Sequence, residues 1–361
     1  MSSRLRTIAA VIGSTAVLAV ALTGCSSGPA TGASSADATP TSVRGQTIVV
    51  YSPQGSDARG EYMVKRAKDD LGITVTFVSG GGGDLTNRLL AEKNNTQADV
   101  VLGLGEAQLT QVANAGILQP YTPSWTDDVP KNLRGSDKDF TLATQTPIVI
   151  AYNTAKMSAA DAPKSWEDLA KPEYKNKFVF PSITGQTGQA AAVGILWRYT
   201  DHATGTVSQK GWDVLSKIEA NSFAVSAGQK FDWNWVTSGA QPIVVSWLGG
   251  IQTGASDNKL ELAAVNTKGG SPYVQTGAGL VKGSSHAAAA KAFIDWFGST
   301  NFQVDFVKAT NNDTPVNSAA VKELGDKAAA LHSIDKQDID WSVVTKHLSD
   351  WLQKIQLSSG S

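Results

Sequence analysis

The stretch Thr47-Ile48-Val49-Val50-Tyr51-Ser52-Pro53-Gln54-Gly55 begins with an apolar run of strand length and stops at a proline and a glycine. Ile73–Val78 and Asp99–Leu102 are two further apolar runs, and a turn and a helical pattern follow each of the three. Strand, turn and helix repeated in this order are typical of a parallel sheet covered by helices. The sequence therefore predicts an α/β fold.

The rest of the chain predicts a second α/β unit and then a return to the first. Further runs of strand character lie at Thr146–Tyr152, Phe178–Phe180, Pro242–Ser246 and Val274–Val281. A last amphipathic helix is predicted between Trp341 and Ile355. The chain from about Gln46 onward is long enough for two lobes of ordinary domain size.

The N-terminal residues predict export rather than fold. Arg4 and Arg6 precede an apolar stretch, Ile8–Leu22, that is shorter than the roughly 20 residues of a spanning helix. The stretch ends in Leu22-Thr23-Gly24-Cys25, which resembles the lipobox of bacterial lipoproteins. This resemblance implies a signal peptide over 1–24 and a lipid on Cys25, the only cysteine of the chain. An ordinary secretory signal with a chance cysteine is the alternative.

A linker rich in small residues is predicted to follow the anchor. Residues 25–45 are mostly Ser, Ala, Thr, Gly and Pro, a composition that cannot bury apolar surface. We therefore expect a body tethered to the outer face of the cell membrane through Cys25.

Charge and histidine spacing exclude several classes of function. The chain has 31 Lys and Arg, 32 Asp and Glu and a net charge of -1, without a basic run. Nucleic acid is therefore not expected as a partner, because phosphate neutralisation dominates that affinity. The 4 His are scattered without metal-ligand spacing. We expect no metal, no cofactor and no catalytic activity, and a monomer.

Two glycine-rich turns are candidate ligand cradles. The first comprises Ser79, Gly80, Gly81, Gly82 and Gly83, and Asp84 is predicted to cap the helix that follows. The second comprises Ser182, Thr184, Gly185, Thr187 and Gly188, again between a strand and a helix. Free amides and the partial positive charge of a helix start suit an anionic group. Sites in open α/β sheets lie beyond the carboxyl ends of strands, so both turns are expected to face one ligand.

Aromatic residues after the second cradle are candidate stacking surfaces. Trp233 and Trp235 follow Lys230, and Trp247 stands at a strand end. An exposed indole stacks on a flat ligand or a cation. Core packing is the alternative for Trp233 and Trp235, and the sequence does not decide whether they face a cleft or the core.

The order of several motifs resembles ABC-transporter substrate-binding proteins. The motifs are Tyr51-Ser52-Pro53-Gln54-Gly55, Val78-Ser79-Gly80-Gly81-Gly82-Gly83-Asp84-Leu85, Ala98-Asp99-Val100-Val101, Gly116-Ile117-Leu118-Gln119-Pro120-Tyr121, Ala151-Tyr152-Asn153-Thr154, Pro163-Lys164-Ser165-Trp166-Glu167-Asp168-Leu169, Phe180-Pro181-Ser182 and Thr314-Pro315-Val316-Asn317. The resemblance covers nearly all of the chain after the linker. It implies a two-lobed type II periplasmic-binding-protein fold with two hinge crossovers and an interlobe ligand cleft.

The resemblance also implies a division of the chain. Lobe 1 is expected over 46–146 and 280–335, lobe 2 over 147–279, and a C-terminal helix packed on the lobes over 336–358. The crossovers are expected near Thr146–Tyr152 and Val274–Val281. The expected partners are a small-molecule ligand and the permease and ATPase subunits of an importer.

The sequence does not decide which of the family's ligand classes this chain binds. Ferric-binding members use an adjacent tyrosine pair, and this chain has no Tyr-Tyr. The cradles favour a small polar organic solute with an anionic group, a phosphonate or phosphate ester first. Thiamine-type and polyamine-type receptors are alternatives within the family, and a lipid-anchored hydrolase or an adhesin are alternatives outside it. The predicted ligand-binding residues are Ser52, Gln54, Ser79, Gly80, Gly81, Gly82, Gly83, Glu106, Tyr152, Thr184, Gly185, Thr187, Gly188, Trp233 and Trp247.

Overall fold

The structure of the protein is a computed structural model that describes residues 42–134, 139–225, 231–310, 313–331 and 333–359. The predicted signal peptide, Cys25 and the linker up to residue 41 lie outside the described residues. No helix in the described ranges combines the length and the apolar character needed to cross a membrane.

The described part of the chain alternates strands and helices. The strands are β1 Thr47–Tyr51, β2 Thr74–Val78, β3 Val100–Gly105, β4 Leu118–Gln119, β5 Phe140–Asn153, β6 Phe178–Val179, β7 Thr200–Asp201, β8 Thr206–Val207, β9 Ile243–Trp247, β10 Leu262–Ala264, β11 Tyr273–Val281 and β12 Thr314–Pro315. The helices are α1 Ala58–Leu71, α2 Gly82–Ala91, α3 Glu106–Asn114, α4 Gln186–Trp197, α5 Gln209–Asn221, α6 Trp233–Ser238, α7 Leu248–Asp257, α8 Ala287–Phe297, α9 Thr300–Thr310, α10 Ser318–Leu324, α11 Asp326–Leu331 and α12 Trp341–Ser359.

Two sheet regions share the long strand β5. The strand order is β2-β1-β3-β11-β5-β9-β6, in which β1 pairs in parallel with both β2 and β3. The first part of β5, Phe140–Pro147, pairs with β11, and the second part, Ile148–Tyr152, pairs with β9. We call the half that contains β1, β2 and β3 lobe 1 and the half that contains β6 and β9 lobe 2. This is the two-lobed α/β fold that the sequence predicts.

β5 begins six residues earlier than the sequence pattern indicates. The stretch Phe140–Gln145 is rich in polar residues, yet every residue of β5 is buried. Cross-strand pairing satisfies these groups: the hydroxyls of Thr144 and Thr276 share a hydrogen bond of 2.8 Å between β5 and β11. A buried polar group is tolerated when it has such a partner, and the partner is invisible in the local sequence.

The crossing strand β11 belongs to the sheet of lobe 1. It pairs with β3 over Thr276–Leu280 and with β5 over Tyr273–Gly279. The predicted boundary at residue 279 therefore falls inside one strand. The residue limits of the lobes remain a prediction, since the two halves share β5.

The C-terminal helix packs in part on lobe 2. Val344, Leu348, Trp351 and Ile355 of α12 are buried in the same apolar cluster as Trp166 and Phe178. Their spacing of three and four residues places them on one face of the helix. Because α12 also contacts α3 of lobe 1, this helix touches both lobes.

Both glycine-rich turns lead directly into helices. α2 begins at Gly82 with Gly81 as its N-cap, so Asp84 lies in the first turn and does not cap the helix as expected. α4 begins at Gln186 with Gly185 as its N-cap. Neither N-cap has a side chain that could accept the first helical N–H groups, and these donors have no partner inside the helix.

Candidate functional site

A cavity of about 430 Å³ lies between the two lobes. Lobe 1 lines it with the turn after β1, with the glycine turn before α2 and with Arg59 of α1. Lobe 2 lines it with the start of α4 and with Trp247 at the end of β9. The strands β5 and β11 supply the wall that joins the two lobes, through Thr146 and Thr276.

The lobes are in direct contact around this cavity. The side-chain amide of Gln186 donates a hydrogen bond of 2.9 Å to the carbonyl oxygen of Gly103. The amide of Gln108 donates one of 2.8 Å to Oε1 of Gln189, which lies in lobe 2. Gly103 has a φ of 74°, a backbone conformation that favours glycine.

An arginine from one lobe stacks on a tryptophan from the other. The guanidinium of Arg59 lies 4.9 Å from the ring centroid of Trp247, within the range of a cation–π interaction. The same guanidinium donates hydrogen bonds of 2.7 to 3.1 Å to both carboxylate oxygens of Asp57. Arg59 is thereby held at the cavity wall with only 16% of its side chain exposed.

Seven of the predicted ligand-binding residues line this one cavity. They are Gln54, Gly80, Gly81, Gly82, Gly185, Thr187 and Trp247. Gly82 and Thr187, which begin helices in different lobes, therefore face the same space. The arrangement brings the amide-rich starts of α2 and α4 together, because the carboxyl ends of β2 and β6 point toward the gap between the lobes.

Four predicted residues lie beside the cavity and do not line it. The carbonyl oxygen of Thr184 approaches Gly83 across the lobe contact. Gly188 packs against the carbonyl oxygens of Pro181 and Ser182, and Ser79 lies against Gly55. These residues shape the two turns without facing the enclosed space.

Three predicted residues lie elsewhere, and we do not assign them as contacts. Ser52 is fully buried, and its hydroxyl accepts a hydrogen bond from the N–H of Gln54, so it stabilises the turn. Tyr152 is buried in the apolar core of lobe 2, because the pleat of β5 turns it away from the cleft. Glu106 points to a narrow space beside α12. Burial raises the pKa of this carboxyl, and nearby Lys336 opposes the rise.

The aromatic residues of lobe 2 surround a second space of about 850 Å³. Thr187 and Trp247 line both this space and the interlobe cavity. Trp233 lines the second space only, with its ring directly against Gly254 of α7. Trp235 packs edge-on against Phe223 and Phe231. The rest of the aromatic lining is Phe180, Phe223 and Phe231.

The sequence analysis misses the two charged residues that line the cavity. Arg59 and Asp313 come from distant parts of the chain, and no pattern around either residue links them. Burial raises the pKa of the Asp313 carboxyl above its ordinary value, and nearby Arg59 partly opposes this rise. The position of Arg59 just after the Pro53–Gly55 turn is the one local signal that could have placed it at the site.

Comparison with known proteins places the chain in a family. The family model described as "Bacterial extracellular solute-binding protein" matches residues 95–341. The chain belongs to this family. A probable ABC transporter periplasmic-binding protein of Sinorhizobium fredii is 36% identical over 311 residues, which cover 86% of either chain.

A second relative supports the family, and a solved structure supports the fold. The Fe(3+)-binding periplasmic protein of Serratia marcescens is 30% identical over 303 residues, 82% of this chain and 86% of that one. The solved structure of the ferric binding protein from Campylobacter jejuni superposes with a TM-score of 0.73 at 20% identity. The superposition covers 86% of this chain and 99% of that one. The family and fold resemblance in the sequence is thereby confirmed.

Proposed function

We propose that the protein is the substrate-binding component of an ABC importer and captures a small organic solute with an anionic group, a phosphonate or phosphate ester first. The observation that carries the proposal is the convergence of Arg59 and two uncapped helix starts on one interlobe cavity. Helix N-termini favour anions, and a planar guanidinium donates charge-assisted hydrogen bonds to the oxygens of a phosphonate. Differential affinity for the closed arrangement would shift the lobes toward closure.

We do not propose ferric iron as the ligand of this chain, although the Serratia relative is named as an Fe(3+)-binding protein. The described residues contain no cluster of three or more His, Cys, Asp or Glu that could hold a metal ion. No tyrosine is found among the described residues that line the cavity. Amides, one guanidinium and hydroxyls can donate, and Asp313 is the one carboxylate among the described lining residues, a set that suits an oxyanion better than a hard cation.

A thiamine-type receptor is the second candidate, because of the aromatic space in lobe 2. Phe180, Phe223 and Trp233 offer flat surfaces next to Trp247. A planar cationic ring would stack there. This candidate leaves the start of α4, which has no acidic residue in its first turn, without a negative partner, so we place it second.

A thermal-shift screen separates the candidates. With ligand at about 100 times its Kd, the folded state gains about 2.7 kcal/mol, a measurable rise in melting temperature. We expect ethylphosphonate or glycerol 3-phosphate to produce that rise in the purified full-length chain, with sulfate as the matched inorganic control. A rise with thiamine or spermidine alone would reject the anionic solute.

We further propose that the chain is held at the outer face of the membrane by a lipid on Cys25. The Cys25→Ser variant cannot form the thioether, so it is expected to move from the membrane fraction to the soluble fraction. Immunoblotting of both fractions measures this, and Ser26→Ala serves as the matched control. Retention of the Cys25→Ser variant on the membrane would contradict the anchor.

A further inference from the structure

Three oxygen atoms of cavity-lining residues have no hydrogen-bond partner in the part of the chain that the structure describes. They are Oε1 of Gln54, Oγ1 of Thr146 and Oδ1 of Asp313, and all three are buried. Native proteins pair nearly all buried polar groups, so each exception has a specific cause. These three atoms can all act as acceptors, whereas the starts of α2 and α4 are rich in donors.

Asp313 is buried beside a paired strand. The residue is 5% exposed. The next residue, Thr314, pairs with Gln145 of β5, which fixes the backbone at the cavity wall. The hydroxyl of Thr146 is close enough to favour the charged carboxylate, although no hydrogen bond of normal geometry joins the two side chains.

Asp313 forms no ion pair with a cationic side chain of the described residues, and the charge of nearby Arg59 only partly opposes the effect of its burial. Arg59 is the only cationic residue among the described residues that line the cavity. Its guanidinium is already engaged by both oxygens of Asp57. A buried carboxylate without a dedicated partner is costly, and a cation supplied by the solute would relieve that cost. The raised pKa of Asp313 is consistent with this deficit.

We propose that Asp313 recognises an ammonium group of the solute, with Thr146 and Gln54 as additional acceptors. An ammonium carries three donors, which equals the number of unpartnered oxygens at the cavity wall. The inference rests on the proposed function and narrows it: the solute is a zwitterion whose anionic end lies at Arg59 and the helix starts. Asp313 is then a specificity-determining residue that separates amino-phosphonates from simple phosphonates.

Isothermal titration of the full-length chain tests the role of Asp313 with four probes. Ethylphosphonate lacks the amine of 2-aminoethylphosphonate, glycerol 3-phosphate offers hydroxyls, and ethanolamine carries the amine without an anionic group. We expect 2-aminoethylphosphonate to bind at least about tenfold more tightly than ethylphosphonate or glycerol 3-phosphate. Asp313→Asn should remove most of that advantage and leave ethylphosphonate within about threefold of wild type. Asp127→Asn, a change at a fully exposed carboxylate, should leave every affinity unchanged.

The outcomes separate this inference from the function on which it rests. Equal binding of 2-aminoethylphosphonate and ethylphosphonate, with neither affected by Asp313→Asn, overturns the ammonium site and leaves the anionic solute standing. If glycerol 3-phosphate binds as tightly as 2-aminoethylphosphonate and is equally sensitive to Asp313→Asn, the ammonium site is wrong. Asp313 then binds a hydroxyl of the solute. Binding of ethanolamine without either phosphonate supports Asp313 and rejects the anionic solute. If Asp313→Asn does not fold, the ranking of the probes on wild type decides.

Discussion

Replacing Gly188 with alanine is expected to destabilise the protein by about 2 to 3 kcal/mol and to disrupt the second glycine cradle. A Cβ atom at Gly188 would overlap with the carbonyl oxygen of Ser182 and lie 2.5 Å from that of Pro181. Both neighbours are backbone atoms, which cannot rotate away as a side chain can. The turn from Pro181 to Gly185 must therefore move, and the start of α4 moves with it.

The matched control for this change is Gly185→Ala in the same turn. A Cβ atom at Gly185 would lie 3.7 Å from its nearest neighbour, an ordinary contact distance, and its φ of -100° suits any residue. Thermal and guanidinium unfolding should therefore give this variant a stability within about 1 kcal/mol of wild type. Identical melting of the two variants would show that the packing of Gly188 does not hold the cradle in shape.

Replacing Arg59 with methionine is expected to lower the affinity for an anionic phosphonate about 100-fold, close to 3 kcal/mol of binding free energy. Arg59 is the one positive charge among the described cavity-lining residues, and its charge-assisted hydrogen bonds are the strongest available to the anion. Titration of wild type and variant with ethylphosphonate measures the loss. If the substitution leaves the affinity unchanged, the anion does not bind at Arg59.

Arg88→Met is the matched control, because Arg88 makes the same kinds of contact away from the cavity. Its guanidinium lies 2.7 Å from Glu92 and 4.9 Å from the ring centroid of Tyr51. Arg59 lies 2.7 Å from Asp57 and 4.9 Å from the ring centroid of Trp247. Arg88→Met should leave phosphonate affinity within about twofold of wild type. An equal loss in both variants would indicate a general effect of removing a stacked arginine.

The strands that are apolar throughout were predictable, whereas the polar part of β5 was not. Ile48 and Val50 of β1 are buried, as the local pattern and the following proline and glycine indicate. Phe140–Gln145 carries Thr and Gln residues whose burial depends on partners in β11 and β12. A pattern confined to one segment contains no information on such partners.

The same distinction between local and long-range features applies to the candidate site. The sequence predicted its glycine-rich turns and missed its charged residues. A glycine-rich turn before a helix is a local feature, so the turns at Gly80–Gly82 and at Gly185–Thr187 were visible in the sequence. Arg59 and Asp313 are ordinary charged residues in their own segments. They become part of a site only because β5 and α1 bring them to one cavity.

The sequence by itself determined the α/β class and the two-lobed family fold, and it located the two glycine-rich turns, because periodicity, turn residues and motif order are properties of neighbouring positions. The tertiary structure alone decided that Ser52 and Tyr152 are buried away from the cleft, that Arg59 stacks on Trp247, and that Asp313 stands unpaired at the cavity wall. Solvent exclusion and charge balance depend on every element that packs around a group. A pattern of neighbouring residues therefore contains no information on these two properties.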